Sequence, residues 1–402
     1  MKIEEIVKEA QAFQPEMKNI RRELHRHPEV GFALTFTKKY VWDELVKLGL
    51  EPVSVGRSGI VVLLGGRKPG KCILLRADMD ALQLTEEAEV DYRSRNEGKM
   101  HGCGHDMHTA MLLGAAKILK AHEEEIEGTV KLAFQPAEEC FQGSVDMMAS
   151  GLLENPKVDA AFMLHVIAGQ PMPSGMLMVS GGGVGTASCE QYHIVVKGKG
   201  GHGSTPNLSI DPITAACQIH LALLEINARE LDGNEYGVFT TCHFEAGKTS
   251  NVIPDTASMW GTIRTVDPEN KVGEYIKRRM KEITEGIGRA LRCETEVEFY
   301  DYCPCMLVDE ALSKAGLSYL QELFGQSVID MKAVTGGRAG GGSEDFAFVS
   351  HKVPTLCAYL SAGGAQEGYL YGQHNPKVIF NDDILYVGAA AYVQMALRWL
   401  EE

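Results

Sequence analysis

Residues 72–80 read CILLRADMD, an apolar run with no alternation that stops on two carboxylates, Asp78 and Asp80. A short continuous run of this kind predicts a strand buried on both faces. Comparable runs recur at 59–66 (GIVVLLGG), 129–139 (TVKLAFQPAEE) and 159–166 (DAAFMLHV). Helical patterns lie between them. The clearest is 106–125, where Met107, Met111, Ala115 and Ile118 share one face. Buried strands alternating with helices predict an α/β domain: a mixed, largely parallel sheet with helices on both faces.

From about Glu190 the pattern changes. QYHIVVKGKGGHG (191–203) alternates like a half-exposed strand, DPITAACQIHLALLEINARE (211–230) is helical, and two strands, a helix and a strand follow up to Tyr302. Strand–helix–strand–strand–helix–strand describes a ferredoxin-like α+β unit. The expected organisation is therefore a discontinuous domain of residues 1–189 and 303–402 with an inserted domain, 190–302, between its halves. SGGGVG (180–185) reads as a hinge and GGRAGGGSEDF (336–346) as a flexible loop.

Totals restrict the function classes. The chain has 402 residues, 45% of them hydrophobic and 23% charged, as in globular proteins. Its formal charge of −15 offers no basic face for nucleic acid or an anionic membrane. No run reaches the roughly 18 apolar residues of a membrane span. The N-terminus lacks a signal-type apolar core, and the ten cysteines show no disulfide-scaffold spacing, so cytoplasm is the expected compartment. CPC at 303–305 has the wrong spacing for a redox pair.

Chemistry concentrates at the ends of the predicted strands. One run leads into Asp78 and Asp80, one into Glu138 and Glu139, and one into His165. Ligands bind off the carboxyl ends of strands in open α/β sheets. The stretch HGCGHDMH (101–108) falls between the first two, and Gly102 and Gly104 free its backbone to turn Cys103 and His105 inward. Cysteine, histidine and carboxylate together suit a borderline ion such as Zn²⁺. Adjacent glutamates point in different directions, so one can ligate while the other serves as the base a hydrolytic site needs. Three readings remain open on the residues alone. They are a metal-dependent hydrolase, a cysteine hydrolase with Cys103 as nucleophile and His105 as base, and a non-catalytic protein with a structural zinc.

Eight stretches, taken in order, add a resemblance. RRELHRHPEVGF (21–32), RADMDAL (76–82), HGCGHDMH, PAEE (136–139), GGHGSTP (200–206), SNVIPD (250–255), SEDF (343–346) and GQHNP (372–376) span the chain. Together they resemble the M20 metallopeptidases, in the amidohydrolase branch of hippurate hydrolases, auxin-conjugate hydrolases and N-acetyl-amino-acid deacetylases. The resemblance implies a metal-dependent amidohydrolase that cleaves N-acyl-L-amino acids, with dipeptides or carbamoyl amides as alternative substrates. It implies two divalent ions, Zn²⁺ or Mn²⁺ with Co²⁺ or Ni²⁺ also able to serve, held by Cys103, His105, Glu139, His165 and His374. Glu138 resembles the general acid/base and Asp80 the carboxylate that orients a ligand. Asp78 stands where much of the superfamily carries a ligating histidine, and it is left out of the ligand set. The insertion resembles the family's lid, through which a homodimer or homotetramer forms. Its His202 resembles the histidine that stabilises an oxyanion in the neighbouring subunit's site, and Asn251 and Arg264 resemble positions that hold the substrate carboxylate. Many members carry a second histidine where this chain has Asn207.

Overall fold

The computed structural model describes residues 3–402, so residues 1 and 2 of the expected first segment lie outside the described residues. The chain divides into two compact units. One comprises Met1–Gly185, Leu307–Arg338 and Asp345–Glu402, the other Thr186–Met306 and Ala339–Glu344.

The first unit is built on an eight-stranded sheet. Its strand order is Val53–Val55, Gly59–Gly65, Thr129–Gln135, Cys72–Asp78, Ala160–Ile167, Thr355–Ser361, Leu177–Val179 and Val328–Asp330. The four central strands, from Thr129–Gln135 to Thr355–Ser361, run parallel, while Gly59–Gly65 and Leu177–Val179 pair with them antiparallel. All seven residues of Cys72–Asp78 are buried, as a strand covered on both faces requires. The helix His105–Ala121 packs on this strand and on the helices Ile3–Arg26 and Leu385–Glu401. That position explains why the helix is buried almost all round instead of along one stripe. Leu75, Leu112, Phe162 and Leu164 are among its core residues, and each fully buried side chain of this size contributes about 1.5–3 kcal/mol.

The second unit has a four-stranded antiparallel sheet in the order Gly237–Ala246, Thr256–Thr265, Cys189–Lys197 and Glu294–Cys303. The helices Pro212–Glu225 and Lys271–Ala290 pack against it through Ile194, Met259, Ile219 and Ile276. Along Thr256–Thr265 buried residues alternate with half-exposed ones, the signature of a sheet covered on one face. Strand order and connectivity are those of a ferredoxin-like α+β unit. Among the described residues no helix is long and apolar enough to cross a membrane.

Candidate metal centre

Three neighbouring parallel strands carry the first groups of the site. Cys72–Asp78 lies between Thr129–Gln135 and Ala160–Ile167, with Asp78 opposite Gln135 and Arg76 opposite Met163. Glu138 and Glu139 follow three and four residues after the end of their strand, across a tight reversal. Ala137 has φ +55°. A Cβ on Gly143 would come within 1.6 Å of the Pro136 carbonyl oxygen, so this position admits only glycine. The reversal is capped by Asp80, whose buried carboxylate accepts the amides of Glu138 (3.0 Å) and Glu139 (3.3 Å).

Cys103 and His105 arrive from the start of the His105–Ala121 helix. Gly104 caps it at φ +94°, and a Cβ there would lie 2.4 Å from Val166 Cγ2. The glycine thus lets the helix start close on the strand that carries His165, and Cys103 Sγ lies 3.6 Å from His165 Nε2. The fifth donor, His374, sits on a loop at φ +63°. Its amide donates to the Gly102 carbonyl at 2.9 Å, which ties the last ligand candidate to the loop that bears the first. Gln373 anchors the same loop by donating from Nε2 to the Val166 carbonyl at 2.6 Å.

Backbone groups choose the tautomers. His105 Nδ1 donates to the Asp80 carbonyl (2.9 Å) and His165 Nδ1 to the Val166 carbonyl (2.7 Å), so both rings turn an Nε2 lone pair inward. His108 is set the other way. Its Nε2 accepts the Val166 amide at 2.8 Å, so its Nδ1 carries the proton given to Asp78 at 2.5 Å. No lone pair is left on His108 for a cation, although it lies close to Asp78 and His105. Asp78 is likewise engaged on both oxygens, by His108 and by Arg76 Nη1 at 2.7 Å.

The donors fall into groups that fit metal ions. The ligand atoms of Cys103, His105 and His165 lie within 4.8 Å of one another, and so do those of Cys103, Glu139 and His374. Cys103 is common to both. Among the described residues, His105 Nε2 and Glu139 Oε1 are buried without a hydrogen-bond partner, a costly state for polar atoms unless a ligand supplies the missing contact. Electrostatics agree. Burial and Glu139 push the Cys103 thiol up, yet the imidazoles of His105 and His165 bring it down to about 6. The Cys103 and Glu139 groups beside His374 raise that imidazole to about 10. Burial opposes the charge on His105, but Asp78 and Cys103 hold it well above the usual imidazole range. These donors demand positive charge in their midst, and protons and divalent cations compete for that place.

The second unit holds the remaining candidates. His202 and Asn251 share one small ribbon: Gly201–His202 pairs with Val252–Ile253, His202 lies opposite Val252, and the Gly203 amide donates to the Asn251 carbonyl. His202 is exposed, and its Nδ1 accepts the Ser204 amide (3.2 Å) and lies 2.7 Å from the Ser204 hydroxyl. Arg264 lies elsewhere in the unit, on Thr256–Thr265, where Nη1 donates to the Ser343 hydroxyl. Asn207 is exposed on the short turn Pro206–Leu208. Sequence reasoning gave no role to His108, Gln373 or Asp345. Their partners lie 30 to 269 residues away in the chain, and although each falls in a quoted motif, HGCGHDMH, GQHNP or SEDF, the motif alone does not name the partner.

Residues 74–398 match the profile of peptidase family M20/M25/M40. An N-acetylcysteine deacetylase of Bacillus subtilis is 33% identical over 393 residues, which is 97% of this chain and 98% of the relative. A hippurate hydrolase of Campylobacter jejuni is 35% identical, over 98% of this chain and 100% of the relative. Among solved structures, a Bacillus subtilis protein described as a dinuclear metal binding peptidase from the M20 family superimposes with a TM-score of 0.78. It is 30% identical and covers 97% of this chain and 99% of its own.

Proposed function

The chain belongs to the M20/M25/M40 peptidase family, and from that premise we propose a metal-dependent amidohydrolase that cleaves N-acyl-L-amino acids to a carboxylic acid and a free amino acid. The observation that carries this reading is the meeting of two donor groups on Cys103 with a further carboxylate, Glu138, at their side. Glu138 Oε2 lies 4.0 Å from His105 Nε2. Deacetylase and hippurate hydrolase relatives of full length support the substrate class.

In this reading Cys103, His105, His165, Glu139 and His374 would hold two divalent ions, Zn²⁺ or Mn²⁺, Cys103 belonging to both donor groups. The chemistry such a pair supplies is polarisation of the amide carbonyl and acidification of a water. Glu138 accepts the proton of that water and returns it to the leaving amine. Asp80 keeps the Glu138–Glu139 reversal and the His105 ring in place. His202 of the partner subunit donates to the developing oxyanion, and Asn251 and Arg264 hold the substrate carboxylate. The second unit, residues 190–302 in essence, acts as lid and dimerisation domain, and the enzyme works in the cytoplasm. The roles of His202, Asn251 and Arg264 rest on the motif resemblance.

The test varies the acyl and the amino-acid halves separately, with dipeptides and N-carbamoyl amino acids as further arms, on metal-stripped and reconstituted enzyme. Chelation is expected to abolish turnover and Zn²⁺ or Mn²⁺ to restore it, with N-acyl amino acids the best substrates. Turnover that survives complete metal removal, or a trapped acyl group on Cys103, would overturn the proposal in favour of thiol chemistry.

A further inference from the structure

Behind Glu138 lies a buried polar cluster to which the proposed chemistry assigns nothing. Its centre is Asp345 of the SEDF stretch, which is 0% exposed. The Asp345 carboxylate accepts three donors: Arg76 Nη2 at 3.1 Å, Gln135 Nε2 at 2.6 Å and the Ser144 amide at 2.9 Å. Its carbonyl accepts the Ser144 hydroxyl at 2.6 Å. Arg76, also buried, gives Nε to Gln135 Oε1 at 2.9 Å, which fixes the orientation of that amide. A buried carboxylate with Arg76 and Gln135 on one oxygen and the Ser144 amide on the other is held in one place, because moving it breaks three buried hydrogen bonds at once. What so many contacts fix is a single donor. The backbone amide of Asp345 points at Glu138 Oε1, 3.3 Å away.

We propose that Asp345 is a positioning residue for Glu138: its locked main-chain amide holds Oε1 and so presents Oε2 on the side of His105. The inference rests on the reading of Glu138 as the acid/base, and adds to it a choice of oxygen. Glu138 hangs from a reversal whose amides are capped by Asp80, and that cap sets the main chain but leaves the terminal carboxylate torsion, which is soft, to be set elsewhere. The Asp345 amide supplies that second restraint. Asp345 need not touch substrate. Its effect should appear as a loss of turnover with little change in substrate affinity, since a misplaced proton acceptor lowers the rate without weakening binding.

A double-mutant cycle decides the matter. Wild type, Asp345→Asn, Glu138→Gln and the double variant are compared on N-benzoylglycine or N-acetyl-L-cysteine, whichever turns over faster. Metal content and Tm are measured on the same samples. Asp345→Asn is expected to lose ~10–100-fold in kcat, the range of a slight misplacement, with KM within about 2-fold and metal content unchanged. In the Glu138→Gln background the same substitution should cost nothing more, because the group it positions is already disabled. An equal fold-loss in both backgrounds overturns the inference, as does a loss explained by missing metal. If Glu138→Gln alone keeps wild-type turnover, it is the acid/base reading that fails, and the two failures are thereby distinguished. Should Asp345→Asn not fold, Ser144→Ala takes its place in the cycle. It removes only the hydroxyl on the Asp345 carbonyl and should lose ~3–10-fold, again only when Glu138 is present, and no loss in that variant overturns the proposal.

Discussion

His105 in one unit and His202 in the other are both oriented by main-chain groups, but of opposite kinds. His105 gives its Nδ1 proton to a carbonyl, and its Nε2 is left as a lone pair, the form a cation needs. His202 takes an amide proton on Nδ1, so its own proton resides on Nε2, the form an oxyanion needs. The means differ as well. His105 is wholly buried, and packing forbids the ring to turn. His202 is exposed and depends on Ser204, two residues on, for both its contacts; hydrogen bonds of this sort hold a ring by only ~0.5–1.5 kcal/mol each. The peptide backbone thus selects a ring lone pair at one histidine and a ring N–H at the other, and only the first is selected rigidly.

The comparison can be broken most forcefully at His202. His202→Ala is expected to lose ~10²–10³-fold in kcat, the cost of an oxyanion donor, with metal content unaltered. If the donor acts in the partner's site, inactive His202→Ala and Glu138→Ala chains co-expressed should regain about a quarter of wild-type sites, half of the dimers being mixed with one intact site each. No recovery would place the histidine in its own chain's site. Asp80→Asn comes next. It retains size but leaves both the Glu138 and Glu139 amides without an anionic acceptor and turns an NH₂ donor toward one of them, and metal affinity, read by competition with a chromogenic chelator, should fall at least ~10-fold. An unchanged affinity would mean that the reversal holds itself. Ser204→Ala sharpens the contrast gently. The Ser204 amide still fixes the tautomer, so kcat should drop only ~3-fold, the worth of one neutral hydrogen bond. A larger loss would give the hydroxyl a task beyond orientation.

The smallest effect concerns stability. Glu86 Oε1 lies 3.2 Å from His25 Nε2, and its Oε2 accepts the Ser94 amide at 2.7 Å. Burial pushes this carboxyl up, but His25, the Ser94 amide and Arg93 bring it below the ordinary glutamate value. A carboxyl depressed in the folded state adds stability above its unfolded pKa of about 4.3, and loses it as pH falls through the folded value. Glu86→Gln should therefore lower Tm at neutral pH by a few degrees at most and flatten its fall on acidification, measured by thermal melts from pH 7 to 3. A parallel shift at every pH would mean that the charge is irrelevant.

Local pattern made much of this legible. The apolar runs located the strands that bear Asp78, Glu138 and His165, and the switch near Glu190 located the second sheet. What the runs could not convey is neighbourhood: the Thr129–Gln135 strand inserts between Gly59–Gly65 and Cys72–Asp78, so that Glu138, Asp80 and His165 come from three adjacent strands. His108 shows the same limit at the scale of one ring. It stands three residues from His105 in a histidine-rich motif, yet a single amide, that of Val166, takes its lone pair and excludes it from the donor set. Asp345 was hidden for the same reason: its meaning lies wholly in partners that meet it only after folding.

The loop of His374 carries one more consequence. The ring is 56% exposed whereas that of His105 is wholly enclosed, so the two halves of the centre differ in their access to water. Exchange should accordingly be asymmetric. The ion on the Cys103–Glu139–His374 side ought to leave first and return fastest, and stepwise dialysis against a chelator should yield a one-metal species before the bare protein. Such a species would give each ion its own lifetime, and the outer one would be the coordinate through which the medium sets occupancy.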